Sequence, residues 1–262
     1  MGKLYIVATP IGNLEDITLR ALRVLKEADL ILCEDTRVTR KLLEHYSIGT
    51  PTLSYHQHSS QFKLNKVISL ISPKPELPSV ARFRASQSNQ EKSIALVTDA
   101  GTPGLSDPGG KLVAAALCAG IVVESIPGPS ALTAAVSLSG LPMGKFLFLG
   151  FLPHKKGRQT LLDKIVSSDY PVILYESVHR INKLIEELAC PPFARGEADG
   201  RRGIRNKELG NRQIVICREL TKKFETVYRG TVEEVKNQLS RDKTKGEFVV
   251  IINANKMRIS RE

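Results

Sequence analysis

Several features that define common classes of protein are missing from this sequence. No run of apolar residues approaches the roughly 18 that a transmembrane helix needs, so we expect no membrane span. Tryptophan is absent and aromatic residues make up only 5% of the chain, so no platform for stacking single-stranded bases is obvious. The apolar run near the N-terminus breaks at Pro10 and Gly12 and is too short for a signal-peptide core, so it is predicted to be a first strand.

The compact motifs of metal centres and of two common nucleotide sites are also missing. The four cysteines show no CxxC spacing, which predicts reduced and mostly structural thiols, and the five histidines form no HExxH. We therefore predict no metal, although His56 and His58 would share one face of a strand and leave a metal site as an alternative. No GxGxxG follows the first strand and no GxxxxGK precedes a Ser or Thr, so neither a nicotinamide cofactor nor a nucleoside triphosphate is supported.

Positive charge, in contrast, is in excess. The chain has 38 basic and 27 acidic residues, for a net charge of +11. This surplus favours an anionic partner, with nucleic acid as the first candidate; a basic protein without such a partner is the alternative. Part of the surplus lies in two segments without periodicity, with four basic and two acidic residues over 73–92 and six and three over 190–212. Both segments are predicted to be surface loops or disordered insertions.

The length of the chain and the order of its predicted elements indicate two α/β domains. A chain of 262 residues exceeds what one core usually covers, and 42% hydrophobic residues are enough for folded cores. Strands alternate with helices in the first half, which predicts a mostly parallel sheet with right-handed crossovers. Strands are more frequent near the end, so a mixed sheet is expected there. The hinge-like segment 140–145 places the predicted domains at residues 1–142 and 143–262.

Three loops of the first half share one design, because each follows a predicted strand and contains both Pro and Gly. They are Thr9–Asn13, Asp99–Pro108 and Pro127–Ala131. In a parallel sheet they would lie along one edge and frame a crevice suited to a polar cofactor with an adenosine part. The second loop lies within Val97–Gly110. This stretch is longer than most βα connections, although an ordinary βα connection is the alternative to a ligand-binding loop. Ser130 is predicted to cap the helix after the third loop, whose N-terminus favours a carboxylate.

Seven motifs then appear in a fixed order along the chain. They are ATPIGNLEDIT, CEDTR, VTDAGTPGLSDPG, PGPSA, FLGFLP, YESVHR and CRELTK. Together they resemble the ribosomal RNA small-subunit methyltransferase I family of the tetrapyrrole-methylase superfamily, from Met1 to about Ala254 outside the two irregular segments. TPIGN and AGTP stand where the superfamily usually has GPGD and GGDP, which matches the rRNA branch and argues against a porphyrin-type substrate.

The resemblance implies a fold, a reaction and a set of cofactor contacts. It implies two α/β domains with S-adenosylmethionine in the cleft between them, and methyl transfer to the 2′-hydroxyl of a cytidine in the decoding region of 16S-type rRNA. By motif position the implied cofactor contacts are Pro10, Ala100, Gly101, Thr102, Leu105, Ser130, Ala131, Glu176 and Leu220. Asp99 is added as a neighbouring contact.

The expected chemistry narrows the candidate catalytic residues. Methyl transfer from a sulfonium is an in-line displacement, so the acceptor oxygen and the methyl carbon must be held roughly 3–3.5 Å apart. A ribose hydroxyl is a weak acid, and a general base can assist its attack. We favour Asp35 with Arg37 in this role, and keep the remaining candidate carboxylates Glu34, Glu219 and Glu225. For each of them a capping or salt-bridging role is the alternative.

The partner expected from the charge and from the resemblance is rRNA or the small ribosomal subunit. Cations predicted to contact phosphates are Lys155, Lys156, Arg158, Arg180, Lys222 and Lys223, with solvated surface cations as the alternative. The superfamily resemblance also implies a homodimer, and a cytoplasmic location is expected. Two rival functions stay open, methylation of a small tetrapyrrole-like acceptor and a non-catalytic role in RNA binding or ribosome assembly.

Overall fold

The computed structural model describes residues 2–56, 59–72, 92–189, 212–242 and 245–254. His58, Cys190 and nearly all of the two irregular segments lie outside these residues, so what the sequence predicts for them stays a prediction. The chain folds into two compact units, Met1–Ser130 and Ala131–Glu262. The domain boundary predicted between residues 142 and 143 lies within the second unit.

The first unit is built around a five-stranded sheet. Its strands are β1 (Lys3–Val7), β2 (Leu30–Cys33), β3 (Thr52–Ser54), β4 (Ile94–Leu96) and β5 (Val122–Ile126). Its helices are α1 (Leu19–Glu27), α2 (Thr36–His45), α3 (Gln61–Ile71) and α4 (Gly110–Cys118), with a 3₁₀ turn over Leu14–Asp16. The spatial order is β3-β2-β4-β1-β5, and every neighbouring pair is parallel. The predicted parallel sheet is therefore confirmed.

Alternation along the buried strands explains how this sheet holds helices on both faces. In β4, Ile94 and Leu96 belong to one apolar cluster, with α3 and α4, whereas Ala95 belongs to the other, with α1 and α2. Because successive side chains of a strand point to opposite faces, a short, wholly apolar strand such as β4 fits the centre of a sheet that is covered twice. Thr18 caps α1, since its Oγ1 accepts a hydrogen bond from the amide of Ala21 at 3.1 Å.

The second unit contains a mixed sheet, as predicted. Its strands are β6 (Leu147–Phe151), β7 (Val172–Ser177), β8 (Gln213–Arg218), β9 (Thr226–Thr231) and β10 (Glu247–Ile252). Its helices are α5 (Ala131–Ser139), α6 (Arg158–Ser167), α7 (Ile181–Ala189) and α8 (Val232–Arg241). The order is β6-β7-β10-β8-β9, with β6 and β7 parallel and the other neighbouring pairs antiparallel.

Strand directions decide which loops of the second unit meet. Strand β10 is antiparallel to both β7 and β8, so β6, β7 and β8 all run the same way and their carboxyl ends share one edge of the sheet. Helices α6, α7 and α8 pack on one face in a single apolar cluster, and α5 packs against β10. The loops that begin after Phe151, Ser177 and Arg218 therefore lie on one side of this unit.

Candidate functional site

Three loops at the carboxyl edge of the parallel sheet are locked together by hydrogen bonds. Strand β1 lies between β4 and β5, so the loops after these strands are neighbours. Thr9 and Gly101 exchange two backbone hydrogen bonds of 2.9 and 3.0 Å. The Thr9 hydroxyl donates to the carbonyl of Thr98 at 3.1 Å, and the Thr102 hydroxyl donates to that of Pro129 at 3.1 Å. The loops thus form one continuous edge, which we call the loop rim, residues 8–13, 97–109 and 127–130.

At two positions of the loop rim, steric constraints favour glycine over other residues. Gly101 has φ +84°, a left-handed conformation that side chains with a Cβ rarely adopt, at the point where it pairs with Thr9. Gly128 approaches strand β1 so closely that an added Cβ would lie 3.1 Å from the Ala8 Cβ and 3.4 Å from the Ala8 carbonyl oxygen. A side chain at position 128 would require Ala8, the residue after β1, to shift by a few tenths of an ångström.

The cofactor residues predicted in the first unit fall into supports and exposed positions. Pro10 and Gly101 are buried members of the rim. Asp99 and Ala100 are exposed, and the partly exposed residues are Thr102, Leu105 and Ser130. The last predicted position before the second sheet, Ala131, is partly exposed at the start of α5. Exposed backbone with small hydroxyls suits a polar ligand with an adenosine part, so these residues fit the predicted cofactor.

The CEDTR motif is joined to the loop rim through one backbone amide. Asp35 donates its N–H to the Asp99 carboxylate at 3.0 Å, which links the loop after β2 to the loop after β4. The Asp35 carboxylate caps α2 by accepting from the Arg37 amide at 2.8 Å, and it lies 2.6 Å from the Arg37 guanidinium. These hydrogen bonds lower the pKa of Asp35 from 3.8 to about 2. Asp35 is therefore ionised near neutral pH and a weak proton acceptor.

Glu34, directly before it, has the opposite electrostatic environment. Partial burial, and next the negative charge of Asp99, raise the pKa of Glu34 above its usual range. A higher pKa makes a carboxylate a better base. Of the two acidic residues in this motif, Glu34 is thus better suited to accept a proton, and Asp35 is better suited to fix the conformation of the loop and of Arg37.

The two cofactor positions predicted in the second unit have buried side chains. Glu176 lies inside β7, one residue before its end. Its Oε1 is 2.8 Å from the Arg180 Nε and accepts from the Ser177 amide at 2.8 Å, and the residue is 1% exposed. Leu220 is 6% exposed in the turn between β8 and β9. Oε1 of Glu176 is therefore engaged within this unit, whereas Oε2 is buried 4.0 Å from the Arg158 Nη1 with no hydrogen bond from the described residues.

One of the predicted phosphate contacts is a core residue. Arg158 is only 5% exposed, and its Nε and Nη2 bind both carboxylate oxygens of Glu187, with a shortest distance of 2.6 Å. Its Nη1 donates to the carbonyl of Pro153 at 3.3 Å and lies 4.0 Å from Glu176. A guanidinium held on two carboxylates inside the unit does not offer a surface charge to RNA. We correct the predicted role of Arg158 to a structural one.

The remaining predicted RNA contacts lie on one edge of the mixed sheet. Lys155 and Lys156 follow β6, are exposed and make no ion pair with the described part of the chain. After β7, Arg180 is engaged with Glu176 and with the carbonyl of Leu152, at 2.6 Å. The two predicted cations after β8 are Lys222 and Lys223.

These two lysines differ in their surroundings. Lys222 is bound to Glu219 and Glu247, at 2.9 Å each, whereas Lys223 is exposed with its Nζ 5.7 Å from the Phe224 ring centre. Glu225 accepts a hydrogen bond from the amide of Thr221 at 2.6 Å. Glu219 and Glu225, the other candidate bases, are thus both engaged in shaping this turn.

Within the ranges that the structure describes, no three His, Cys, Asp or Glu side chains are grouped as a metal site would need. The pair of His56 and His58 falls partly outside those ranges. Over the same residues no helix combines the length and the apolar character that crossing a bilayer requires.

The architecture and the rim match one class of enzyme. Residues 3–236 match the model of the Tetrapyrrole (Corrin/Porphyrin) Methylases. A solved cobalt precorrin-4 methyltransferase is similar in fold, with a TM-score of 0.63 and 16% identity over 96% of this chain and 94% of that one. A uroporphyrin-III C-methyltransferase from Thermus thermophilus, solved with S-adenosylhomocysteine, has a TM-score of 0.58 and 19% sequence identity, over 97% of this chain and 98% of that one. The fold is therefore that of a tetrapyrrole methylase.

Relatives with higher sequence identity define the family within this fold class. The ribosomal RNA small subunit methyltransferase I of Halalkalibacterium halodurans is 40% identical over 262 residues, which is all of this chain and 79% of the relative. That of Thermotoga maritima is 38% identical over 253 residues, 97% of this chain and 99% of the relative. The chain belongs to the ribosomal RNA small subunit methyltransferase I family. The resemblance carried by the seven motifs is confirmed, and so is S-adenosylmethionine as the methyl donor.

Proposed function

We propose that this chain transfers the methyl group of S-adenosylmethionine to the ribose 2′-hydroxyl of a cytidine in the decoding region of small-subunit rRNA. Family membership supports the donor and the rRNA acceptor. The motifs AGTP and TPIGN support the finer assignment by resemblance. The structural observation that carries the proposal is the loop rim, in which these two motifs are joined by the paired backbones of Thr9 and Gly101.

The donor is held by the exposed part of the loop rim. Asp99, Ala100, Thr102 and Leu105 offer backbone groups, a carboxylate, a hydroxyl and an apolar surface, and Pro10 is buried in the neighbouring loop. Ser130 and Ala131 add the beginning of α5, where a helix N-terminus favours the donor's carboxylate. We assign Glu176 and Leu220 the role of buried supports for the neighbouring backbone. The bound donor supplies an electrophilic methyl group on a sulfonium.

Two acidic residues beside the loop rim are assigned different roles in the transfer, proton acceptance and positioning. In the transfer, the acceptor oxygen forms a bond to the methyl carbon as the carbon–sulfur bond breaks, and the hydroxyl proton must go to a base. Glu34 is assigned this proton because its pKa is raised. Asp35, fixed by Arg37 and joined to Asp99, is assigned a positioning role.

RNA binding is assigned to the edge of the mixed sheet where β6, β7 and β8 end. The exposed cations Lys155, Lys156 and Lys223 supply phosphate contacts, and Arg180 and Lys222 shape the same edge. The superfamily resemblance supports a homodimer. The small ribosomal subunit as substrate supports a place in the cytoplasm, where ribosomes act.

Transfer of labelled methyl from S-adenosylmethionine tests this function. Naked small-subunit rRNA, assembled small subunits and a tetrapyrrole are offered in parallel, and donor binding is measured by calorimetry. We expect label in rRNA or subunits, at one cytidine whose following phosphodiester resists alkaline cleavage because its 2′-oxygen is blocked. Label in the tetrapyrrole alone would show the small-acceptor alternative, and absence of donor binding would favour the assembly factor.

A further inference from the structure

Three aromatic rings gather at the carboxyl end of strands β6 and β7. The Phe151 ring centre is 5.6 Å from that of Tyr175, which is 5.1 Å from that of Phe148. Phe151 is 51% exposed although it is a large apolar side chain. These three residues, which we call the aromatic row, form a continuous ring surface of which one end is open to solvent.

An irregularity in β6 creates the row. Phe148 and Phe151 are three residues apart, so in a regular strand they would point to opposite faces of the sheet. The register with β7 shifts between Phe148 and Gly150, where Gly150 has φ +61°, so that Phe148 pairs with Ile173 and Phe151 with Tyr175. Because the two partners are two residues apart, both Phe rings face the same side.

That side is the one that α6, α7 and α8 leave uncovered. Val172 and Leu174 of β7 belong to the apolar cluster with these helices, as do Leu147 and Leu149 of β6. The aromatic row points the other way. Its ring surface therefore serves the hydrophobic core only in part, and the open face of Phe151 is accessible to a planar ligand.

One cation lies close to the open ring, and two exposed cations follow it along the chain. The Arg180 guanidinium lies 6.0 Å from the centre of Phe151 and is held by Glu176 and by the carbonyl of Leu152. Two exposed lysines, Lys155 and Lys156, follow in the same loop. Single-stranded RNA is bound by this combination, in which bases stack on aromatic rings and neighbouring cations contact phosphates.

We propose that Phe151 is a stacking site for one unpaired base of the rRNA substrate, with Lys155 and Lys156 on the adjoining phosphates. This inference rests on the proposed function, and it adds a base-binding residue to an edge where only charge had been expected. Charge complementarity selects RNA as the occupant, because a bare apolar contact would not need a guanidinium near the ring and two exposed lysines in the loop that follows it.

The first test compares Phe151→Leu with Phe151→Tyr and Phe146→Leu. Phe151→Leu keeps an apolar side chain but removes the ring, so its dissociation constant for a single-stranded rRNA fragment should rise roughly 5- to 150-fold, since one stacked base contributes about 1–3 kcal/mol. Phe151→Tyr should bind as the wild type. Phe146, 40% exposed just before the same strand, is the matched control, and its variant should bind normally. Donor affinity and melting temperature should be unchanged in all three.

The second test uses the absence of tryptophan from the chain. Phe151→Trp introduces a single indole, and stacking of a base on it should quench its fluorescence. Single-stranded RNA should quench the indole fluorescence, and a duplex of the same sequence should leave it unchanged.

Different results overturn different statements. Wild-type protein that neither binds nor methylates rRNA would contradict the proposed function itself. Wild-type activity with normal RNA binding by Phe151→Leu, or an indole that RNA leaves unquenched, would overturn the stacking site alone. Loss of a dimer on light scattering in Phe151→Leu, with unchanged RNA affinity, would show instead that the row packs against a second copy of the chain.

Discussion

At the scale of single residues, two adjacent carboxylates differ in chemistry because of their contacts. Asp35 accepts hydrogen bonds from Arg37, whereas Glu34 is partly buried close to Asp99. The pKa of the first is lowered and that of the second is raised. Opposite pKa shifts in two neighbouring acidic residues often distinguish a residue that positions other groups from one that transfers a proton.

Glu34→Gln should lower the single-turnover rate of methyl transfer by about 10²- to 10⁴-fold, the range for a lost general base, with donor binding unchanged. Asp35→Asn keeps a helix cap and should cost less. The rates are measured by quenched-flow transfer of labelled methyl to rRNA. A larger loss in Asp35→Asn than in Glu34→Gln would return the role of base to Asp35.

Asp35 should also make stability depend on acid pH. Its carboxylate has a pKa lowered from 3.8 to about 2 in the folded state, so its ionised form stabilises the fold above about pH 4. That contribution is lost as the pH falls through about 2. Urea unfolding at stepped pH should therefore show a smaller decline between pH 4 and 2 in Asp35→Asn than in the wild type. Arg37→Gln removes the guanidinium but keeps the capping amide, so its decline should lie between those of Asp35→Asn and the wild type, and Arg40→Gln, on the same helix, should behave like the wild type.

At the scale of elements, a buried ionic network fixes the turn between β6 and α6. Arg158 holds Glu187 of α7 and the carbonyl of Pro153, and Arg180 holds Glu176 and the carbonyl of Leu152. Four charged groups in a nearly dry environment keep the backbone that precedes Lys155 in one conformation. The sequence did contain a signal for this: residues 158, 162 and 165 follow the apolar spacing of α6, so Arg158 lies on its buried side.

Arg158→Met should lower the free energy of unfolding by at most about 3–5 kcal/mol, because it leaves the Glu187 carboxylate, whose side chain is 16% exposed, with only Lys183 at 3.9 Å. Lys155→Met, at an exposed position three residues earlier, should change it by less than about 0.5 kcal/mol and should weaken RNA binding instead. Denaturant unfolding and RNA titration of both variants measure this. Equal stability of the two variants would contradict the structural role of Arg158.

The loop after β5 depends on the contact between Gly128 and Ala8, the residue that follows β1. Gly128→Ala would bring a Cβ to 3.1 Å from that of Ala8, so we expect a loss of about 1–3 kcal/mol in unfolding free energy and weaker donor binding. Gly110→Ala, at the first residue of α4 where a Cβ meets nothing within 4 Å, is the matched control and should be neutral or slightly stabilising. Denaturant unfolding gives the first quantity and calorimetry the second.

At the scale of the whole molecule, the surplus of positive charge acts through the salt dependence of RNA binding. Each phosphate contact contributes about −0.7 to −0.9 to the slope of log K against log salt. Lys155→Ala with Lys156→Ala should therefore make the slope less negative by about 1.4–1.8. Lys164→Ala with Lys236→Ala removes the same charge from exposed positions on α6 and α8 and should leave the slope unchanged.

The sheet architecture was predictable because it depends on local patterns. Strands such as β4 are short apolar runs, helices such as α1 carry caps and apolar stripes, and their alternation requires parallel pairing. Alignment of the three Pro- and Gly-containing loops on one edge follows from that topology. The link from the Asp35 amide to Asp99 was not predictable, since it joins residues 64 positions apart through a loop conformation that no periodicity encodes.

By itself the sequence determined the two α/β units, the parallel and mixed sheets and, through seven motifs, the family and its methyl donor. Only the tertiary structure decided which charged residues are exposed and which side chains share a face. Arg158 is withdrawn from the surface by Glu187, and a register shift at Gly150 turns Phe148 and Phe151 to one side. The physical reason is that burial and pairing depend on contacts between distant segments, whereas secondary structure and motifs depend on neighbours along the chain.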